Sequence, residues 1–234
     1  MARRFGFGAV MIPSMIVPTL TRHDLLIEML ASIDYPVGLL VIVNNHPSRD
    51  FEAFGWVPEC VEDYRVLNMP ANLGCAGSWN LGIKSSPFAP WWLVASDDVV
   101  FAPGALKEFA GECSPDRLTI LSEWPHYQFF GVGENVVSEV GLFDENLYPA
   151  NFEDDDFQRR CEERRLMGVE IHRVDVAHRH VKQGTVHAPE WASSNSRTYE
   201  ANERYHDWKY QNHDHSAGEW SLKIRRANDW AREL

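Results

Sequence analysis

Apolar and polar positions along this chain follow two periods, one of strands and one of helices. Residues 9–18 form an apolar, β-branched run and predict a first strand. Leu25, Leu26, Met29, Leu30 and Ile33 then recur at helical spacing, after Thr21, Arg22, His23 and Asp24 have offered capping side chains. Tyr35-Pro36-Val37-Gly38 ends that helix. Residues 39–43 predict a second, buried strand that runs into Asn44-Asn45-His46-Pro47, and residues 64–68 predict a short third. Residues 74–84 read as a helix whose early positions are small, which permits close approach to a neighbour. Residues 91–95 predict a fourth strand, and Pro103 suits the first turn of a helix reaching about residue 112. Strands are also predicted over 118–122, 129–132, 169–172 and 174–177, with a strongly charged helix over 151–166. Strand and helix alternate through the first half, so the fold class is α/β with a mostly parallel, doubly wound sheet.

The pattern changes after Ala188. Trp191, Tyr199, Tyr205, Trp208, Tyr210, Trp220 and Trp230 are interleaved with charge, which predicts a helical, aromatic-rich extension over 188–234 packed on a main domain of residues 1–187. Trp191, Tyr199, Trp208 and Trp220 either cement this extension to the core or form a stacking platform for a sugar or base.

Composition narrows the function. The chain has 234 residues, and 44% of them are hydrophobic, enough for a full core. A net charge of −12 opposes binding to nucleic-acid backbone or anionic membrane. Cys60, Cys75, Cys113 and Cys161 form no C-x-x-C pair, which suits a reducing, cytoplasmic setting. Gly6, Gly8 and Pro13 break the first apolar stretch, so it reads as a strand and not as a signal peptide; no apolar run reaches the length of a membrane span.

Four constellations carry candidate chemistry. The fourth predicted strand ends in Ser96-Asp97-Asp98. Two carboxylates at the end of a buried strand need compensation, for which a hard divalent cation is the usual means; the alternative reading is a strand followed by an Asp-rich turn. The run from Asn72 and Gly74 to Asn80 and Gly82 opens a helix with small residues, where backbone N–H groups favour an anion such as a diphosphate. Glu153, Asp154, Asp155 and Asp156 start the charged helix and complement its dipole, while Phe152 and Phe157 imply that part of this turn is buried. A carboxylate held against apolar surface gains basicity, which makes Glu153 and Asp154 candidate general bases. Asp156 and Arg160 are one helical turn apart and pair as scaffold. His178 and His180 alternate after the last strand, followed by Gly184-Thr185, and either imidazole suits a mixed site with carboxylate; His213-Asp214-His215 has the same look by coincidence.

The order of these pieces resembles the family-two inverting glycosyltransferases of GT-A fold. The resemblance spans about residues 9–187 and is most specific in Gly141-Leu142-Phe143-Asp144-Glu145 followed by Glu153-Asp154-x-Asp156 and Arg160. It implies a nucleotide-sugar half over about 1–100 and an acceptor half over about 101–187. Pro18, Thr19 and Arg22 would line the nucleotide. Asn44 and Asn45 would face the base, where the family has Asp followed by Asn. Asn72, Gly74 and Asn80 would orient the loop and helix beside the donor. Asp98, helped by Asp97, would hold Mn2+ or Mg2+ together with His178 or His180, although Ser96 stands where the family motif has its first acid. Asp154 would be the base, with Glu153 as the second choice. The implied partners are a UDP-, dTDP- or GDP-linked sugar and an acceptor hydroxyl on a glycan, lipid-linked sugar, protein or modified base. Three competing readings stay open: a nucleotidyltransferase, opposed by the lack of a basic Gly-rich loop at Thr19-Leu20-Thr21-Arg22; a non-catalytic binder of sugar nucleotides or carbohydrate; and an interaction protein working through its aromatic extension.

Overall fold

The computed structural model describes residues 11–46, 57–180 and 189–211, the side chains of 189–195 excepted. Strands β1 (Ser14–Thr19), β2 (Leu40–Asn44), β3 (Tyr64–Asn68), β4 (Trp91–Ala95), β6 (Arg117–Leu121), β7 (Phe129–Gly133) and β8 (Glu170–Val174) form one sheet in the order β3-β2-β1-β4-β7-β6-β8. Strands β5 (Val99–Phe101) and β9 (His178–His180) form a separate antiparallel ribbon. The helices are α1 (His23–Ala31), α2 (Gly74–Ser85), α3 (Ala105–Glu112), α4 (Glu134–Val140), α5 (Glu153–Glu163) and α6 (Pro189–Gln211).

Side-chain alternation along the strands separates two cores. Met15, Val17, Leu93 and Ala95 point to one face, with Leu26, Met29 and Leu30 of α1 and Leu106 and Phe109 of α3. Ile16, Trp92 and Val94 point to the other, with Trp79 of α2, Val136 and Val137 of α4, and Phe157 and Cys161 of α5. Gly82 explains how close α2 comes, since a Cβ there would lie 2.4 Å from the Ile16 side chain.

The chain passes from β1 outward to β2 and β3, then returns to place β4 on the other side of β1. The crevice of an open α/β sheet lies at such a reversal, beyond the C-terminal strand ends. Pairing of β1 with β2 continues to Thr19 opposite Asn44, whereas pairing with β4 stops at Ile16 opposite Val94. Pro18, which has no N–H to donate, sits where β1 and β4 part.

The expected strands and helices are present with shifted ends. Residues 9 and 10 of the first strand, Gly6, Gly8, Pro47, Gly184, Thr185, the 213–215 motif, Trp220 and Trp230 lie outside the described residues, as does the side chain of Trp191. No side-chain cap forms at α1; the Arg22 carbonyl accepts from Leu25 and Leu26 instead. The two strands expected over 169–177 are one, β8, and the following β9 was not expected. Nor were β5 and α4, whose three and seven residues are too short to show a period. Among the described residues, no helix is long and apolar enough to cross a membrane.

Candidate active site

At the mouth of the crevice the end of β1 faces the turn after β4. Thr19 and Asp97 are buried, and neither Thr19 Oγ1 nor Asp97 Oδ2 has a well-aligned hydrogen-bond partner. Burial, with the charge of Asp98 in the same sense, pushes the Asp97 carboxyl up to about 7 against the opposing pull of the Thr19 hydroxyl and Arg22. Arg22 donates to both oxygens of Asp24, at 2.9 and 2.8 Å, and its charge reaches Asp97 and Asp98. The β5–β9 ribbon completes this corner. Its register sets His180 opposite Val99, and His180 Nε2 lies 3.2 Å from Asp98 Oδ1.

His178 occupies a different environment. Its Nδ1 lies 2.7 Å from the Val176 carbonyl and its Nε2 lies 2.8 Å from Gln128 Oε1, with the ring edge-on to Phe129. Both nitrogens therefore have protein partners, and of the two imidazoles only His180 turns to the carboxylate step. Among the described residues, no three His, Cys, Asp or Glu side chains are grouped to hold a metal. Asp98 and His180 fit a divalent ion as a partial shell, one oxygen donor and one nitrogen donor, with the buried Asp98 Oδ1 lacking any well-directed bond of its own.

The asparagines expected around the donor are fastened to the fold. Asn44 Nδ2 donates to Asn68 Oδ1, and Asn44 Oδ1 accepts from the His46 amide, so the expected contact of this amide with a base is not supported. Asn45 Nδ2 donates to Ser78 Oγ while its Oδ1 accepts from the Leu73 amide. Asn80 donates to the Phe143 carbonyl and Glu145 Oε1 and accepts from the Phe143 amide. It thereby locks α2 to the Gly141–Glu145 run. The diphosphate cradle expected at the start of α2 is not open. Asn72 Oδ1 accepts from the Gly74 amide, and the Pro149 carbonyl accepts from the Cys75 amide. Gly74, at φ +73°, is needed because a Cβ there would lie 2.6 Å from the Pro149 oxygen. The small residues thus serve close approach to residues 148–149.

The acidic start of α5 lies near the other end of Cys75. The charges of Glu153, Asp154 and Asp97 all act on the Cys75 thiol, which burial holds well above its ordinary value. One thiol sensing all three carboxylates links the α5 turn to the β4 turn. Glu153 is buried, and its Oε2 has no well-aligned hydrogen-bond partner, with the Cys75 thiol beside the carboxyl. Burial, and then the charge of Asp154, pushes it up to about 8. Asp154 is half-buried, and its Oδ1 accepts from the Asp155 amide at 3.0 Å. Burial and the Asp155 charge raise its basicity, while the loop before β7 supplies His126, whose charge opposes this. Glu153 is therefore a neutral, enclosed acid near neutral pH, and Asp154 is the reachable carboxylate.

Glu153 also predicts a pH effect on stability. It faces Cys75, Asp154 and Asp155, and it binds its proton more tightly folded than unfolded. Stability should fall as pH rises from its ordinary 4.5 to about 8 and level off beyond. Glu153→Gln is expected to flatten that fall, by a few kcal/mol at most, in thermal midpoints measured across this range. An unchanged slope in the variant would show that Glu153 does not titrate in this way.

A further set of residues was missed in the sequence. Lys209 Nζ lies 2.8 Å from Asp144 Oδ2 and 2.6 Å from Asp156 Oδ1, all three nearly inaccessible at 4%, 1% and 0% side-chain exposure. Tyr205 donates to Asp144 and Tyr210 to Asp156, while Arg160 pairs with Asp156 as expected and donates to the Val140 and Leu142 carbonyls. The signal was available: Asn202, Tyr205, Lys209 and Tyr210 fall on one helical stripe. These contacts pack α6 on the rest of the described fold; Tyr199 packs on Phe152, and Trp208 stacks loosely on Tyr205.

No protein-family model matches the sequence, and no curated protein matches it. Solved structures do. Residues 1–349 of S. aureus TarS align with a TM-score of 0.53 at 17% identity, covering 70% of this chain and 58% of that one. The same fragment in complex with UDP aligns with a TM-score of 0.53 at 16% identity over 70% of this chain and 58% of that one. This fold is GT-A. The catalytic domain of Drosophila β1,4-galactosyltransferase 7 aligns with a TM-score of 0.49 at 15% identity, over 73% of this chain and 71% of that one. The present GT-A chain spans 58% of the TarS fragment, so the likeness concerns the arrangement of the sheet and its crevice.

Proposed function

We propose that this chain is an inverting glycosyltransferase that moves a sugar from a nucleotide-sugar donor to an acceptor hydroxyl. One observation carries the reading: in a GT-A fold, a half-buried carboxylate of raised basicity, Asp154, shares its surroundings with a buried Asp97-Asp98 step at the sheet's reversal point. The donor's diphosphate lies between Thr19, Arg22 and the Asp97-Asp98 step, where the charge of Arg22 is felt. Asp98 and His180 would hold Mn2+ or Mg2+. Such an ion, when bound, stabilises negative charge on the departing diphosphate. Asp154 takes the proton from the acceptor hydroxyl as its oxygen bonds to the anomeric carbon and the bond from that carbon to the phosphate oxygen breaks. Attack from the face opposite the leaving group inverts the centre. The complex of TarS with UDP supports a nucleotide-linked donor.

A panel of UDP-, GDP- and dTDP-sugars, each assayed with and without Mn2+ for release of nucleoside diphosphate, tests this reading. Metal-stimulated release from at least one donor is expected. Asp98→Ala should abolish the stimulation and the metal-dependent part of donor affinity. Equal donor affinity by calorimetry with and without Mn2+ in the unmodified protein would remove the metal role of Asp98 and His180. Donor binding without release, with every acceptor class offered, would favour the non-catalytic binder.

A further inference from the structure

The step into α5 is strained. Asn151 and Phe152 both have positive φ, 83° and 74°. Asn tolerates this region, but a bulky aromatic residue there is an outlier that persists only when its surroundings over-determine it. Those surroundings come from α6. Asn202 Nδ2 donates to the Ala150 carbonyl at 2.9 Å and to the Asn151 carbonyl at 3.2 Å. The Phe152 ring packs against Tyr199 and His206, with centroids 5.0 and 5.6 Å away. One helical turn further, Tyr210 donates to the Asp156 carboxylate and carbonyl, and the Arg159 guanidinium lies 3.6 Å over the Tyr210 ring. The contacts grip the chain on both sides of Glu153 and Asp154, from Ala150 to Arg159.

We propose that α6 is a positioning strap for the base: Asn202 and the pocket around Phe152 hold the left-handed step that aims Asp154 at the acceptor. The strap makes no contact with Thr19, Asp97 or Asp98 among the contacts described, so it acts on turnover and leaves donor binding alone. The proposal rests on the reading of Asp154 as base.

The decisive comparison is Phe152→Ala against Phe152→Gly. Both remove the ring, but only glycine adopts positive φ without strain. If the ring served packing alone, glycine would be no better than alanine and its greater chain entropy would make it worse. If the backbone step matters, Phe152→Ala should lower kcat by about tenfold or more, and Phe152→Gly should recover to within about threefold of wild type, at unchanged donor Kd. Asn202→Ala should lower kcat several-fold, again with donor Kd unchanged. A kcat for Phe152→Gly at or below that of Phe152→Ala overturns the strap, as does a matching loss of donor affinity in Asn202→Ala. Hydrogen exchange at the Asp156 amide, which donates to the Phe152 carbonyl, separates this from failure of the functional reading. Wild-type protein without turnover, yet with Asp156 protection lost in Phe152→Ala and kept in Phe152→Gly, would sink sugar transfer while preserving the strap. Equal protection in the two variants would sink the strap whatever the activity.

Discussion

Asp154→Asn should bind the donor as wild type does and lose turnover by about 10²–10⁴-fold, the usual contribution of a general base. The substitution keeps the shape of the side chain and the acceptor for the Asp155 amide, so the helix start should stay intact. It removes the negative charge and, with it, the ability to accept a proton. Stopped-time assays of sugar transfer with calorimetric donor affinity measured in parallel check this. Wild-type turnover in the variant would reassign the base. Glu153→Gln is the internal comparison: its carboxyl is enclosed and held near 8, so this variant should retain most activity at neutral pH.

Lys209→Met is expected to destabilise the fold by about 3–5 kcal/mol, the range for a buried charge pair broken on one side. The cation lies between two carboxylates, and without it Asp144 keeps only the Tyr205 hydroxyl and the amide and side chain of Asn146 as partners. Asp156 keeps Arg160. Burial pushes the Asp156 carboxyl upward, but Arg160, Lys209 and the Tyr210 hydroxyl more than offset this and hold it below the usual range. Its contribution is therefore present at neutral pH and is lost as pH falls below about 4 through its folded value. For a chain of this size the drop in thermal midpoint should be of order 10 °C. Lys209→Met with Asp144→Asn should recover part of it, because the second change removes one of the stranded charges. An unaltered midpoint in Lys209→Met would mean that the cluster carries no net stability.

The strands that build the sheet were legible in the sequence because they are short apolar runs bounded by turn residues, and α1 because its apolar stripe is complete. The Asp97-Asp98 step could be placed because a charge pair closing a run as apolar as Trp91–Ala95 is conspicuous. Other parts were not legible for physical reasons. An asparagine's role depends on who meets its amide, and Asn44 meets Asn68 across a strand pair while Asn80 meets Phe143, a residue far along the chain. The amides at the start of α2 are occupied by a carbonyl from residue 149, a contact between segments far apart in sequence. The choice between His178 and His180 turns on Gln128, a residue with no distinguishing pattern of its own. The stripe of Asn202, Tyr205, Lys209 and Tyr210 marks the buried face of α6, but the pairing of Lys209 depends on two acids from elsewhere in the chain.

The chain's order of parts has a consequence for its birth on the ribosome. Thr19, Arg22, Asp97 and Asp98 emerge in the first hundred residues, whereas the side chains that grip the Asn151-Phe152 step arrive only between Tyr199 and Tyr210. The Asp97-Asp98 step therefore leaves the ribosome well before the side chains that fix the start of α5, since synthesis proceeds from the N-terminus at about 5–20 residues per second. During that interval the Asn151-Phe152 step has no α6 to hold it in the left-handed region.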